Sequence, residues 1–169
     1  MSKRYFGKYR GTVVNDIDPL RTGRLLVQVP DVTGPGPSTW AMPCFPATGA
    51  QHGTWMLPTR GAGVWVEYEQ GDSHYPIWAG CWYGSVAEVP AMALAAPPGV
   101  PHVVLQTVRQ NALVISDAPG PAGGILIKSA TGALISVNEL GITLSNGKGA
   151  DITMTGRTVT VNQGALVVT

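Results

Sequence analysis

Charged residues are scarce in this sequence. They make up only 12% of its 169 residues, about half the share that is usual in globular proteins. A surface so poor in charge is unusual for a free monomer, and it indicates that much of it is covered by copies of the chain or by a partner. The formal net charge of +1 argues against electrostatic capture of nucleic acid or of an anionic membrane.

Cysteine and long apolar segments are equally sparse. Cys44 and Cys81 are the only cysteines, too few for a disulfide framework, and their aromatic and apolar neighbours predict free, buried thiols. The N-terminal residues MSKRYFGKYRG contain no apolar core of a secretory signal. No run of about 18 apolar residues predicts a membrane span. We therefore expect the protein to be made and assembled in the cytoplasm.

Aromatic residues are absent from the second half, since all of them lie between Tyr5 and Tyr83. The second half must therefore achieve burial with aliphatic residues alone. Residues 86–102 contain four prolines and predict an extended connector, because proline fixes φ and donates no backbone hydrogen bond. The predicted domains are 1–85 and 103–169, joined by this connector. We expect the core of the first to form around Trp40, Trp55, Trp65, Trp78 and Trp82.

The first half is predicted to be a series of short strands. Its clearest alternation is that of the apolar Leu25, Val27 and Val29 with their neighbours, which is the period of a half-buried strand. Similar segments follow, separated by turn signals and without a helical period. About five such strands predict a small closed or nearly closed barrel.

Two segments of this half carry an ordered set of motifs, GTVVNDIDPLRTGRLLVQVPDV and WAMPCFPATGAQHGTWMLPTRGAGVWVEYEQGDSHYPIWAGCWYG. The residues that fit the set are Val14, Asn15, Asp18, Pro19, Gly23, Arg24, Pro58, Gly61, Val64, Val66, Tyr68, Glu69, Gly71, Asp72, Pro76, Ile77, Gly80 and Tyr83. In this order they resemble the N-terminal OB-fold domain of the phage baseplate assembly protein V family and of related type VI and pyocin-like spikes. The resemblance implies an all-β protein: an OB-fold barrel followed by a trimeric, intertwined, triple-stranded β-helix.

The second half consists of repeated short units, each a short strand with glycine and a small polar residue nearby. Such repeats predict a solenoid or a β-helix, although the units are too short for the coils of a single-chain β-helix. They begin at Asn111, Gly123, Gly132, Leu140, Gly149, Gly156 and Gly164.

Alternation places one set of aliphatic side chains on a single face of these strands. One ribbon of such strands cannot form a core, whereas three chains can form a prism with this face along the axis and with strand edges paired between chains. A narrow axis also explains why aromatic rings are absent. The predicted trimer core is Leu113, Ile115, Ile125, Ile127, Ile135, Val137, Ile142, Leu144, Ile152, Met154, Val159, Val161, Leu166 and Val168.

No pattern in the sequence predicts a catalytic, cofactor or metal site. His52, His74 and His102 lack metal-ligand spacing. Glu67 and Glu69 are interpreted as a solvated strand face or an interface contact, not as the carboxylate pair of a glycosidase. Nucleophile elbows and phosphate-binding glycine loops are absent. We expect no enzyme activity, and the short connector has no room for the lysozyme domain that some members of the resembled family carry.

The resemblance implies a mechanical function. We expect a trimeric central spike of a contractile phage tail or a related injection particle, assembled in the bacterial cytoplasm. Its OB domains would dock on the baseplate hub, and its β-helix would pierce the target envelope, in transient contact with the membrane, when the sheath contracts. Because the sequence ends at GALVVT without a pointed cap, a tip protein of the PAAR-repeat kind is predicted to bind Val167, Val168 and Thr169.

Two alternatives come from other functional classes. A trimeric β-helical fibre or adhesin that binds a surface receptor would expose aromatic residues on its shaft, which the second half lacks. An OB-fold nucleic-acid-binding module would be monomeric with a protease-sensitive second half. The first half has few basic residues, and the first four of them lie near the N-terminus. The full set is Lys3, Arg4, Lys8, Arg10, Arg21, Arg24 and Arg60.

Overall fold

The structure, a computed structural model, describes residues 3–168. It divides into two compact units, called unit 1 and unit 2, with the boundary between Glu88 and Val89. The predicted all-β class is confirmed, because strands dominate both units and each α-helix is a single turn of four residues. Within the described part of the chain, no helix is long and apolar enough to cross a membrane.

Unit 1 contains a closed five-stranded barrel. Its elements are β1 (Tyr9–Asn15), β2 (Leu25–Gln28), α1 (Pro30–Thr33), β3 (Pro37–Pro43), a hairpin of β4 (Thr48–Gly49) and β5 (His52–Gly53), β6 (Gly63–Tyr68), a 3-10 turn (Glu69–Gly71) and β7 (Pro76–Trp82). The order around the barrel is β1, β2, β3, β7, β6. Neighbouring strands are antiparallel except for β3 and β7, which are parallel. The predicted barrel is therefore confirmed.

The barrel core is mostly aliphatic, which corrects the expected tryptophan core. Trp78 is the one tryptophan that is buried in it, and its Nε1 donates a hydrogen bond to the Gly23 carbonyl oxygen at 3.0 Å. Trp65 lies between the fully buried Val64 and Val66 on β6, so strand alternation turns its indole outward. The interior consists of Val13, Leu25, Val27, Val29, Ala41, Val64, Val66, Tyr68 and Trp78, including the alternating residues of β2 that the sequence predicted.

The turn between β1 and β2 is organised by one carboxylate, that of Asp18. It accepts hydrogen bonds from the backbone N–H groups of Leu20, Thr22 and Arg24 and from the Thr22 hydroxyl. The Arg24 guanidinium donates two more, at 3.0 and 2.7 Å. These donors, with Arg24 the strongest, hold the pKa of Asp18 well below its usual range. The carboxylate therefore fixes the path of the chain into β2.

A cluster of three tyrosines closes one part of the barrel core. The ring centroids of Tyr5, Tyr9 and Tyr68 lie 5.7 to 6.0 Å apart, a spacing that is typical of favourable aromatic pairs. The Tyr68 hydroxyl is buried and has no hydrogen-bond partner among the described residues. Burial, and then the neighbouring Tyr9 and Tyr5, raise the pKa of Tyr68 to about 12. This phenol is therefore neutral throughout the physiological range.

Both cysteines are free, as predicted, but the expected burial of their thiols is wrong, because Cys44 and Cys81 are exposed. Cys44 follows the end of β3. Cys81 lies near the end of β7, three residues after the buried Trp78, so strand alternation turns it away from the core.

The segment 86–102 is only partly extended. It contains a 3-10 turn (Val86–Glu88) and α2 (Ala91–Leu94). Pro90 precedes this helix, and its carbonyl oxygen accepts a hydrogen bond from Ala93 N at 2.8 Å. The prolines before and after α2 therefore limit it to one turn without preventing it, because residues 91–94 are good helix formers. His102, at the end of the segment, already belongs to a strand.

Unit 2 is an eight-stranded sheet in which each strand pairs with its neighbours in sequence. The strands are β8 (His102–Gln106), β9 (Ala112–Ser116), β10 (Gly124–Lys128), β11 (Leu134–Asn138), β12 (Gly141–Ser145), β13 (Asp151–Thr155), β14 (Thr158–Val161) and β15 (Leu166–Val168), with 3-10 turns at Gly120–Ala122 and Asn162–Gly164. All pairs are antiparallel.

This pairing differs from the expectation that strand edges pair between chains. Both edges of β9 to β14 are occupied within the chain, because the connections are short enough to return each strand beside the previous one. The intertwined β-helix stays a prediction. The seven predicted repeat units also omit β8, the first strand of the eight-stranded sheet.

Two glycines at strand starts let the following strand approach closely. Gly124 and Gly141 have φ of +82° and +140°, and a Cβ on either would collide with a backbone carbonyl oxygen, that of Val137 or Met154. Both stand at the first position of a strand, β10 or β12. Only glycine permits this close approach of the next strand.

Candidate functional site

The sheet of unit 2 presents one continuous apolar face. Strand register aligns its side chains in two columns that run across all eight strands. One column is Val103, Ile115, Ile125, Val137, Ile142, Met154, Val159 and Val168, and the other is Leu105, Leu113, Ile127, Ile135, Leu144, Ile152, Val161 and Leu166. The structure thus places all fourteen residues of the predicted trimer core on one face. Their role in a trimer stays a prediction.

Val103 and Leu105 on β8 belong to the same face, and sequence reasoning missed them. The signal that could have found them is the alternation in HVVLQ, residues 102–106. The predicted repeat units begin only at Asn111, so Val103 and Leu105 lie in the predicted second domain but in none of its units.

The apolar face is open to solvent along the chain. The exposed fraction is 36% for Ile142 near the middle of the sheet and 59% for Leu166 at its end. Large aliphatic side chains on interior strands are normally buried, and a contiguous exposed patch of this kind marks an interaction surface. The face can bury its area only against another surface of similar character.

The opposite face has a different chemistry. Near β9 it is covered, since Ala112, Val114 and Ser116 are buried, and α2 packs against β8 with His102 Nε2 3.0 Å from the Ala93 carbonyl oxygen. Farther along, Thr143 pairs with Thr153, which pairs with Thr160. This face therefore carries hydroxyl groups that suit water, and only the first face needs a partner.

A groove of about 670 Å³ deepens one side of the apolar face. Aliphatic side chains form its floor, among them Ile135, Leu144 and Ile152, and small polar residues of the turns, such as Asn111 and Asn146, form its rim. Its charged lining residues are Lys128 and Asp151. Its apolar floor suits a protein surface and not a polar substrate.

The residues of the predicted tip site lie on the outer strand of the sheet. Val167 and Val168 are 48% and 57% exposed on β15, which pairs only with β14 among the described strands. Thr169 lies outside the described residues. The two valines point to opposite faces of β15, so they offer an apolar edge and not a pocket.

The acidic and histidine residues that the sequence singled out do not assemble into a site. Glu67 lies on β6 and pairs with Lys8, whereas Glu69 begins the 3-10 turn after it. His74 is exposed, and its Nδ1 lies 2.9 Å from Asp72 Oδ1 within one turn. In the described range 3–168, no group of three or more His, Cys, Asp or Glu side chains could hold a metal ion.

Comparisons with known proteins agree with the division into two units. The family model of the type VI secretion system/phage-baseplate injector OB domain matches residues 9–83. The family model of the phage baseplate V C-terminal trimerisation domain matches residues 102–167. A comparison with curated proteins found no match. The first match coincides with the barrel of unit 1, and the second spans the sheet of unit 2.

Proposed function

Because the chain belongs to the phage baseplate V family, we propose that it is the central spike of a contractile phage tail or a related injection particle. The family assigns it to the baseplate of such a particle as a structural protein, and its second domain to homotrimer formation. The proposal adds the mechanical role: the trimer is driven into the target envelope on sheath contraction and touches the membrane only in passing.

The exposed apolar face is the single observation that carries this proposal. Three copies that turn the face toward a common axis bury all sixteen columnar side chains of each sheet and form a three-sided prism. The face contains aliphatic side chains only, so it fits a narrow axis. A dry, close-packed interior of this kind resists deformation, which a piercing needle requires.

The barrels would dock on the hub of the baseplate. Exposed apolar residues of unit 1 support this part, because Trp55 and Met56 in the loop between β5 and β6 are 59% and 65% exposed. The rings of Trp65 and Trp82, in contrast, are covered by Arg10, whose guanidinium lies 5.6 and 5.0 Å from their centroids. They are therefore less available to stack on nucleic acid bases.

The edge of β15 would bind a tip protein of the PAAR-repeat kind. Its support is the exposed apolar edge formed by Leu166, Val167 and Val168, because an open strand edge is a template for pairing with another chain. We propose no enzymatic activity and no cofactor for the spike. We also propose that it assembles in the bacterial cytoplasm, before the particle is released.

The mass of the purified full chain in solution tests the central part of the proposal. Sedimentation velocity or native mass spectrometry should find a trimer of the 17.7 kDa chain. Migration as a trimer in SDS without heating would support a dry, tightly packed axis. A monomer whose residues beyond about position 100 are digested by protease would refute the proposal and favour a nucleic-acid-binding module.

A further inference from the structure

The few charged residues of unit 2 lie at or near the ends of its strands. In the described range 3–168 all ion pairs belong to unit 1, so the charged side chains of unit 2 have no ionic partner among these residues. They are Arg109, Asp117, Lys128, Glu139, Lys148, Asp151 and Arg157.

The connections of the sheet define two lateral edges. The first edge carries the turns that follow β8, β10, β12 and β14, which are residues 107–111, 129–133, 146–150 and 162–165. The second edge carries the turns that follow β9, β11 and β13, which are residues 117–123, 139–140 and 156–157. The groove described above runs along the first edge.

Three strands have charges of opposite sign at or near their two ends. Within a chain the members of a pair cannot meet, because the ends of a five-residue strand are about 14 Å apart at a rise of about 3.4 Å per residue. The pairs, with the first-edge residue named first, are Arg109 and Asp117 around β9, Lys148 and Glu139 around β12, and Asp151 and Arg157 around β13.

We infer that these residues form ion pairs between neighbouring chains and set the register of the trimer. The inference rests on the proposed function, in which three sheets surround one axis. In a cyclic trimer the first edge of one copy contacts the second edge of the next. Where strands run across the axis, the two ends of one strand stand at the same height. Asp151 of one copy then faces Arg157 of its neighbour.

Asp151 is central because its side chain has no hydrogen-bond or ionic partner in the part of the chain that the structure describes. Its Oδ1 is buried and accepts no hydrogen bond from the described residues, a costly state for a carboxylate oxygen. Asp151 also lines the groove at the first edge. A guanidinium from the neighbouring chain would supply planar donors that fit a carboxylate.

The order of signs along the edges distinguishes this register from its neighbours. The first-edge charge is positive around β9, at the end of β10 and around β12, and it is negative at the start of β13. A displacement by one strand, about 4.8 Å, separates at least one pair. In one direction it also places Lys148 level with Arg157, and like charges at close range oppose assembly. The arrangement of signs therefore disfavours a displacement in that direction.

A double-mutant cycle on the full chain tests the inference. Arg157→Glu and Asp151→Arg each place like charges together three times per trimer, so each should lower the urea midpoint of trimer dissociation and speed dissociation about tenfold. The double variant Asp151→Arg with Arg157→Glu restores opposite charges and should recover most of the loss. Arg60→Glu, an exposed charge reversal in unit 1, is the control and should dissociate like the wild type.

Chemical cross-linking provides an independent measurement. In a chain with Cys44→Ser and Cys81→Ser, the changes Asp151→Cys and Arg157→Cys together should give covalent trimers with a short bismaleimide. Either cysteine alone should give no covalent trimer, because the three copies of one residue lie at three different contacts between chains.

The outcomes separate the two claims. A wild-type trimer whose two substitutions are additive, or whose cysteine pair is not cross-linked, overturns this inference and leaves the spike intact. A monomeric wild-type chain overturns the proposed function and the inference with it.

Discussion

Ile142 on β12 lies directly opposite Met154 on β13, and the two side chains stand side by side on the exposed face, 36% and 39% accessible. Such a pair in the middle of a sheet is ordinarily covered. This face is the surface that we propose to be buried in the trimer, and substitutions in it test that role.

Replacement of Ile142 by Asp should abolish the trimer. The carboxylate would be placed at a dry axis three times, and an unpaired charge in an apolar interior costs several kcal/mol. Thr143→Asp is the matched control, because Thr143 is the next residue on β12 and points to the opposite face. Analytical ultracentrifugation should find monomers for the first variant and trimers for the second. Trimers in both cases would show that another surface holds the chains together.

The barrel should lose stability on acidification through Asp18. Its folded pKa is depressed, so its contribution is complete above the unfolded value of about 3.9 and declines as the pH falls toward the folded pKa. Asp18→Asn should be less stable than the wild type at pH 7, and its stability should change less between pH 5 and pH 2. Denaturant unfolding followed by tryptophan fluorescence measures both effects.

The control for this experiment is Asp31→Asn, because Asp31 is exposed on α1. It should leave both the stability at pH 7 and the acid response close to those of the wild type. An acid response of Asp18→Asn that equals the wild-type response would assign acid sensitivity to other carboxylates.

Tyr68→Phe should preserve or raise stability. The hydroxyl is buried without a partner, so its removal relieves a desolvation penalty of about 1–3 kcal/mol while the ring stays in the aromatic cluster. The raised pKa adds a second readout. Wild-type stability should fall between about pH 10 and pH 12 as the phenol is forced to ionise, and the variant should lose less.

Thermal unfolding of Tyr68→Ala provides the reference for loss of the ring. It should lower stability by about 3–5 kcal/mol because it leaves a cavity in the core. A Tyr68→Phe variant that is destabilised to a similar extent would mean that the hydroxyl has a partner of structural importance.

Gly141→Ala should disrupt the sheet of unit 2. Its Cβ would collide with the Met154 carbonyl oxygen, in addition to the strain of a φ of +140°. Gly149→Ala separates the two causes, since Gly149 has a φ of +101° but open space around its Cβ position. Circular dichroism and trimer yield should show a severe defect for the first and about 1 kcal/mol of destabilisation for the second. Equal defects would indicate that backbone strain alone is responsible.

The alternation of side chains was sufficient to predict much of this protein. Period-2 patterns identified the buried residues of β2 and put fourteen aliphatic residues of the sheet on one face, since neighbours on a strand point to opposite sides. The absence of aromatic residues after Tyr83 separated a barrel from a sheet with a different core. These are local properties, and each can be read from a few consecutive residues.

Tertiary structure decided the remaining features, because they depend on which strands become neighbours. Closure of the barrel decided that Trp78, of the five tryptophans, is the one packed in the core. Hydrogen bonds to Asp18 come from residues that only the folded turn gathers. In unit 2, pairing within the chain sorted the turns onto two edges and thereby placed Asp151 and Arg157 on opposite edges of the sheet. The sequence alone determined which face of the sheet each side chain occupies, because side chains alternate along a strand. Only the pairing of strands determined which residues lie at each lateral edge of the sheet, because an edge forms only when the strands are placed side by side.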